Sequence, residues 1–114
     1  TIGYSAFENC SSLTSVVIGN SVTTIGNYAF CRCDSLTSVV IGNSVTIIEY
    51  GVFYLCDSLT NVYYKGTAEK WANISIDYYN YDLTDATRYY YSAGEPTASG
   101  NFWHYDENGN PVTW

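Results

Sequence analysis

Residues 2–24 read IGYSAFENCSSLTSVVIGNSVTT, residues 25–47 read IGNYAFCRCDSLTSVVIGNSVTI, and residues 48–70 read IEYGVFYLCDSLTNVYYKGTAEK. One pattern thus starts afresh at Ile2, Ile25 and Ile48 at a constant step, and decays after Thr60. A period of this length marks a chain that winds into coils, each burying its apolar positions only against those of its neighbours. The columns that stay fixed are apolar: Ile2/Ile25/Ile48, Ala6/Ala29/Val52, Phe7/Phe30/Phe53, Cys10/Cys33/Cys56, Leu13/Leu36/Leu59, Val16/Val39/Val62 and Ile18/Ile41/Tyr64. Columns that vary, such as Glu8/Cys31/Tyr54 and Asn9/Arg32/Leu55, are expected to face solvent or a partner.

Inside each copy the apolar spacing changes. Ile2, Ala6, Phe7 and Cys10 fall near period 3.6, whereas Val16 and Ile18 alternate at period 2. A short helical turn followed by a short strand is the reading, and Gly19-Asn20 and Gly42-Asn43 supply the reversal after each strand. Strands centred on Val16 to Ile18, Val39 to Ile41 and Val62 to Tyr64 are predicted to pair in parallel with a shift of one full repeat per coil. The predicted fold class is α/β: a solenoid with a parallel β-sheet of short strands and short helical turns on the opposite side.

The run IG..AF..C..LTSV.I..SVT.I resembles the BspA-like leucine-rich repeat family of bacterial surface proteins. It departs from that family in carrying Gly19 and Gly42 where Pro is frequent. The resemblance implies a non-catalytic bacterial protein, extracellular or on the cell surface, that mediates protein binding or adhesion to host or matrix proteins. Neither the location nor the adhesion is readable from composition.

The solenoid is expected over residues 1–71, with repeats 2–24, 25–47 and 48–70, and an aromatic-rich cap over 72–114. Trp71 stands one repeat length after Ile48 and is expected to fill the fourth Ile column. Thr67 is a candidate N-cap, with Glu69 in the first turn of a short helix reaching Trp71. Beyond it, Thr87 to Tyr91 and Phe102 to Tyr105 favour strands, and Asn108-Gly109 between two β-forming runs signals a terminal hairpin. Thr1 aligns with Thr24, the last position of a repeat, so the chain is expected to be a fragment opening mid-array. Its truncated N-terminal coil is expected to favour self-association.

The chain of 114 residues is 46% hydrophobic and 18% aromatic with a net charge of −7, which fits one ordered unit. Only Arg32, Lys65, Lys70 and Arg88 are basic, too few to neutralise a phosphate backbone, so nucleic acid is not an expected partner. Gly, Ser and Asn interrupt every apolar run, so membrane insertion is not expected either.

No catalytic or metal constellation is legible, and no cofactor is expected. Cys10, Cys33 and Cys56, one repeat apart, read as a structural ladder of buried thiols beside Phe7, Phe30 and Phe53. A disulfide within the ladder is the remaining alternative. Zinc would want paired cysteines with companion histidines, and His104 is the sole histidine. Cys31 lies off the ladder and is expected to react faster than the other three. Asp106-x-Asn108-x-Asn110 matches the start of a calcium loop, but Pro111 follows it and a hairpin turn explains the same residues.

Strand alternation selects the candidate partner surface. With Val16 and Ile18 inward, Ser15, Val17, Ser38, Val40, Asn61 and Tyr63 point outward as a small polar column beside an apolar stripe of Val17, Val40 and Tyr63. A protein partner is the expected ligand of that face. A glycan held by exposed cap rings among Tyr78, Tyr79, Tyr81 and Tyr89 to Tyr91 is the alternative, and it requires two or three of them to lie coplanar.

Overall fold

A computed structural model describes residues 1–114. β-Branched and aromatic residues at period 2 form strands β1 (Ser15–Ile18), β3 (Ser38–Ile41) and β5 (Asn61–Tyr64), with two-residue strands β2 (Thr24–Ile25) and β4 (Ile47–Ile48) between them. Helix α1 (Ala68–Ala72), β6 (Ser75–Ile76), helix α2 (Tyr81–Asp85), β7 (Thr87–Tyr91), β8 (Phe102–Tyr105) and β9 (Pro111–Thr113) follow. The larger sheet has the order β1-β3-β5-β7-β8-β9 and the smaller one β2-β4-β6.

The predicted register holds. Ser15 pairs with Ser38 and Ser38 with Asn61 in parallel, each step being one repeat. Threonines reinforce the ladder: the Thr37 hydroxyl donates to the Thr14 carbonyl at 3.1 Å, and Thr60 to Thr37 at 3.2 Å. Gly42 is required where coils touch, because a Cβ there would meet the Gly19 carbonyl oxygen at 2.6 Å.

The side opposite the large sheet is tighter than an α-helix. Ala6, Glu8 and Cys10 N–H groups donate three residues back, to Gly3, Ser5 and Phe7. The intervening N–H groups of Ser5, Phe7 and Asn9 instead donate to Asn27, Ala29 and Cys31 of the next coil, at 2.7–2.9 Å. Coil two repeats this toward coil three: Tyr28, Phe30 and Arg32 donate to Tyr50, Val52 and Tyr54. An α-helix consumes all its N–H groups internally. Here left-handed φ values at Ser5, Asn9, Tyr28, Arg32, Gly51 and Leu55 turn every second N–H along the stacking axis. The turns therefore bond coil to coil, much as strands do.

Between the sheets lies one continuous core. Phe30 and Phe53 are fully buried, and the three phenyl rings stack at 5.2 and 5.6 Å with interplanar angles of 4° and 10°. Offset stacking of this kind adds to the burial of each ring.

The fourth coil corrects one expectation. Ile76, rather than Trp71, pairs with Ile48 in the Ile column, because α1 adds five residues before the column is reached. Thr67 caps α1 as predicted, accepting from the Lys70 N–H at 3.2 Å. Trp71 is still buried, edge-on to Tyr64 at 5.2 Å and covered by the Arg88 guanidinium at 4.6 Å. The parallel ladder also runs past residue 71: β7 pairs with β5, and β8 pairs in parallel with β7. Antiparallel β9 then closes the sheet as the expected hairpin, with Trp103 opposite Thr113.

Candidate functional site

Six residues of the large sheet leave the main core, as alternation dictates, but they are not equally open. Val17 is 68% exposed, while Val40 is 4% and Tyr63 8% exposed. Ser15 is exposed, and Ser38 and Asn61 are half-buried. The open apolar stripe expected over three coils is thus reduced to Val17. Its other two members form a second, small core with fully buried Trp103, and Tyr89 and Tyr105 pack against it. The Trp103 indole N–H donates to the Tyr64 carbonyl at 2.8 Å, which pins the ring against β5.

An open polar shelf results, bounded on one side by an aromatic wall. Tyr63 stacks on Tyr89 at 5.4 Å and 25°, and Trp103 meets Tyr91 and Tyr105 at 5.2 and 4.9 Å. The Lys65 ammonium lies 5.3 Å from both the Tyr91 and Tyr105 ring centres, placing a cation on the wall. Burial pushes the Tyr63 and Tyr105 phenols upward, so both remain protonated donors through mildly alkaline pH.

A second aromatic row runs along the turns. Tyr4, Tyr28, Tyr50 and Tyr79 follow one another at 5.1–6.0 Å, each pair meeting at 61–89°, and Tyr79 meets Tyr81 at 75°. Edge-to-face contact rigidifies the row but leaves no coplanar strip at Tyr79 and Tyr81. The condition set for a flat sugar platform there is not met.

The cysteine ladder has a geometric reason that the spacing alone does not reveal. The Cys33 thiol donates to the Phe7 carbonyl at 3.2 Å and the Cys56 thiol to the Phe30 carbonyl at 3.1 Å, so each sulfur ties its coil to the one before. All four cysteines are free. Cys31, placed at the surface by its variable column, is instead only 3% exposed. It lies in the middle coil, so the coils carrying Glu8 and Tyr54 cover it from both sides. Cys10 in the first coil is the half-buried one.

Burial pushes Cys56 up to about 12 and raises Cys33 and Cys31 as well. Thiol reagents attack thiolates, so at pH 8 Cys10 is expected to react with Ellman's reagent first, and the other three only on unfolding. A fast second thiol in the native protein contradicts that order. Because the folded Cys56 value lies above the unfolded one near 9, its contribution to stability is complete below pH 9 and is lost as pH rises toward 12. Tyr63, Tyr64 and Tyr105 shift in the same direction, so a denaturation series should show stability declining with pH in that window.

His104 stacks on Trp114 at 3.8 Å and 22° in the hairpin. Asp106 spends one carboxylate oxygen on the N–H groups of Asn108 and Asn110, both at 2.9 Å, so the calcium-like triplet serves the turn. No helix is long and apolar enough to cross a membrane.

No curated protein and no solved structure matches the chain. A family model does, described as "BspA type Leucine rich repeat region (6 copies)", over residues 1–86 of the 114. The match extends through β6 and α2, the same stretch in which the stacked coils continue past α1. Repeat spacing, parallel register and this match agree, and the chain belongs to the BspA-type leucine-rich repeat family.

Proposed function

We propose that the chain is a non-catalytic, extracellular binding module of a bacterial surface protein, taking a host or matrix protein on the outward face of its large sheet. Family membership supports the surface location and the adhesive role. The observation that carries the placement is the shelf itself, where Val17 stands 68% exposed beside Ser15, Ser38 and Asn61. An apolar contact ringed by small hydrogen-bonding groups, on a backbone fixed by parallel pairing, suits an extended or flat polypeptide. Val40 and Tyr63 contribute from beneath, by holding Trp103 and the wall in place.

Val17→Asp tests this reading cleanly, since a substitution at an exposed strand position changes stability by about 0.5 kcal/mol or less. In a surface-plasmon-resonance panel of matrix proteins and glycans, the variant is expected to weaken protein binding about tenfold with an unchanged melting temperature. Equal binding by both proteins moves the site off the sheet. Loss of binding in a Tyr78→Ser, Tyr81→Ser variant, both positions being exposed, assigns it to the cap instead.

A further inference from the structure

The connection between β7 and β8 is unusually short for a parallel crossover. It spans residues 92–101, whereas each earlier coil uses most of a full repeat to return. The turn side therefore has no segment left to cover the inner face of the sheet at its last parallel step, where Tyr90 pairs with Phe102. A cavity of about 320 Å³ opens there, between the start of α1 and the 92–101 connection. That volume lies at the small end of the range of ligand sites.

Its lining is selective. Tyr90 and Phe102, paired across the sheet on its inner face, form one wall, and Thr67, Ser99 and Asn101 provide polar groups. No acidic or basic side chain lines it, although the chain carries 4 basic and 11 acidic residues. Without a countercharge the cavity does not suit a carboxylate, phosphate or ammonium ligand. The Tyr90 ring is fixed, because its hydroxyl accepts from the Arg88 Nε–H at 2.9 Å while the Arg88 guanidinium lies over Trp71. Gly100, at φ +139°, keeps the Phe102 ring uncovered: a Cβ at that position would stand 3.2 Å from the ring edge. The side chains of Ser99 and Asn101 make no hydrogen bond within the chain, so their hydroxyl and amide groups are open to a ligand.

We propose that this cavity binds one neutral pyranose ring of a glycan, its C–H face on Phe102 and its hydroxyls on Ser99 and Asn101. The site opens on the opposite face of the sheet from the protein-binding shelf and shares with it only Tyr91, whose ring stands in the shelf's aromatic wall, so it stands or falls independently of that reading. Uncharged hydroxyls and a ring with an apolar face match a lining that combines aromatic faces with hydroxyl and amide groups and has no charge.

The test is an amide-shift titration of the ¹⁵N-labelled chain with glucose, galactose, mannose, N-acetylglucosamine, glucuronate and N-acetyltyrosinamide in separate series. At least one neutral sugar is expected to shift the amides of Gly66, Gly100, Asn101 and Phe102 saturably, with Kd on the order of 1–10 mM. Glucuronate should bind about fivefold more weakly or worse, and Phe102→Leu should lose about fivefold while the rest of its spectrum overlays the parent. Ser99→Arg, on the exposed connection, provides a second variant that should abolish the shifts if Phe102→Leu perturbs the fold. The proposal is overturned if no neutral sugar shifts these amides by about 100 mM. It is also overturned if glucuronate or the tyrosine amide binds there as well as the sugars, or if Ser99→Arg binds like the parent.

Discussion

Asn80→Ala is expected to cost about 3 kcal/mol of folding stability, near the upper end for one substitution, and to lower the melting temperature by roughly 10–15 °C. Asn80 is the only buried polar residue. In coils one and two the Phe N–H donates to a backbone carbonyl of the following coil, Ala29 for Phe7 and Val52 for Phe30. Phe53 has no such carbonyl, and its N–H donates to the side-chain oxygen of Asn80 at 2.9 Å. The amide nitrogen of Asn80 donates in turn to the carbonyls of Glu49 at 2.9 Å and Asp77 at 3.0 Å. One side chain thus supplies both the acceptor and the donors that a further coil would have brought. Alanine leaves a buried N–H without a partner, and unpaired groups of that kind are more costly than a hydrogen bond is stabilising. Asn80→Asp keeps the acceptor but turns a carboxylate toward two carbonyl oxygens, so at neutral pH it should be no better than alanine. Urea denaturation decides the matter, and a loss below about 1 kcal/mol for Asn80→Ala would falsify the plug role.

Trp103→Ala should cost about 3–5 kcal/mol by removing a fully buried indole, and its second effect is the more diagnostic. Without the ring, Val40 and Tyr63 become surface and join Val17 in the apolar stripe that strand alternation alone implies. The variant should then bind more of an apolar dye such as ANS than the parent does, and gain a concentration-dependent self-association through this face. Trp103→Phe retains most of the cover while losing the bond to the Tyr64 carbonyl, and should cost about 1–2 kcal/mol without added dye binding. If Trp103→Ala unfolds at ordinary temperature, the comparison passes to Trp103→Leu at low temperature. Absence of added dye binding by a folded variant would show that something else covers Val40.

Strand register is legible because identity down a column fixes both pairing and inward direction: Val16, Val39 and Val62 can only stack on one another. Thr87–Tyr91 and Phe102–Tyr105 are legible from β-forming residues without any repeat. Periodicity fails where the chain departs from its constant step. The α1 insertion moves the fourth column from Trp71 to Ile76, and Asn80 sits in that shifted coil, where no column marks it. Trp103 lies far beyond Tyr63 along the chain, in a segment without repeats, so its cover over the sheet face has no local signature. The turn conformation escapes the sequence for a different reason. Apolar positions near period 3.6 arise equally from an α-helix and from linked turns with a left-handed residue every fourth position, and only backbone φ separates the two.

The inter-coil bonds in the first three coils join residues about one repeat apart, and this uniformity governs the order of events when the chain folds. The first pairing closes a loop of one repeat at a loop-closure cost, and each later coil docks on an edge already formed. Folding is then expected to proceed as a zipper, nucleating in the well-covered middle coil, where Phe30, Cys33 and Leu36 are fully buried, and spreading both ways. In a chain that begins at this coil, opening is expected to start there, where Phe7 is 43% exposed. Native-state hydrogen exchange should accordingly show a gradient of opening free energies, with amides of Ala6 to Cys10 exchanging long before those of Ala29 to Cys33.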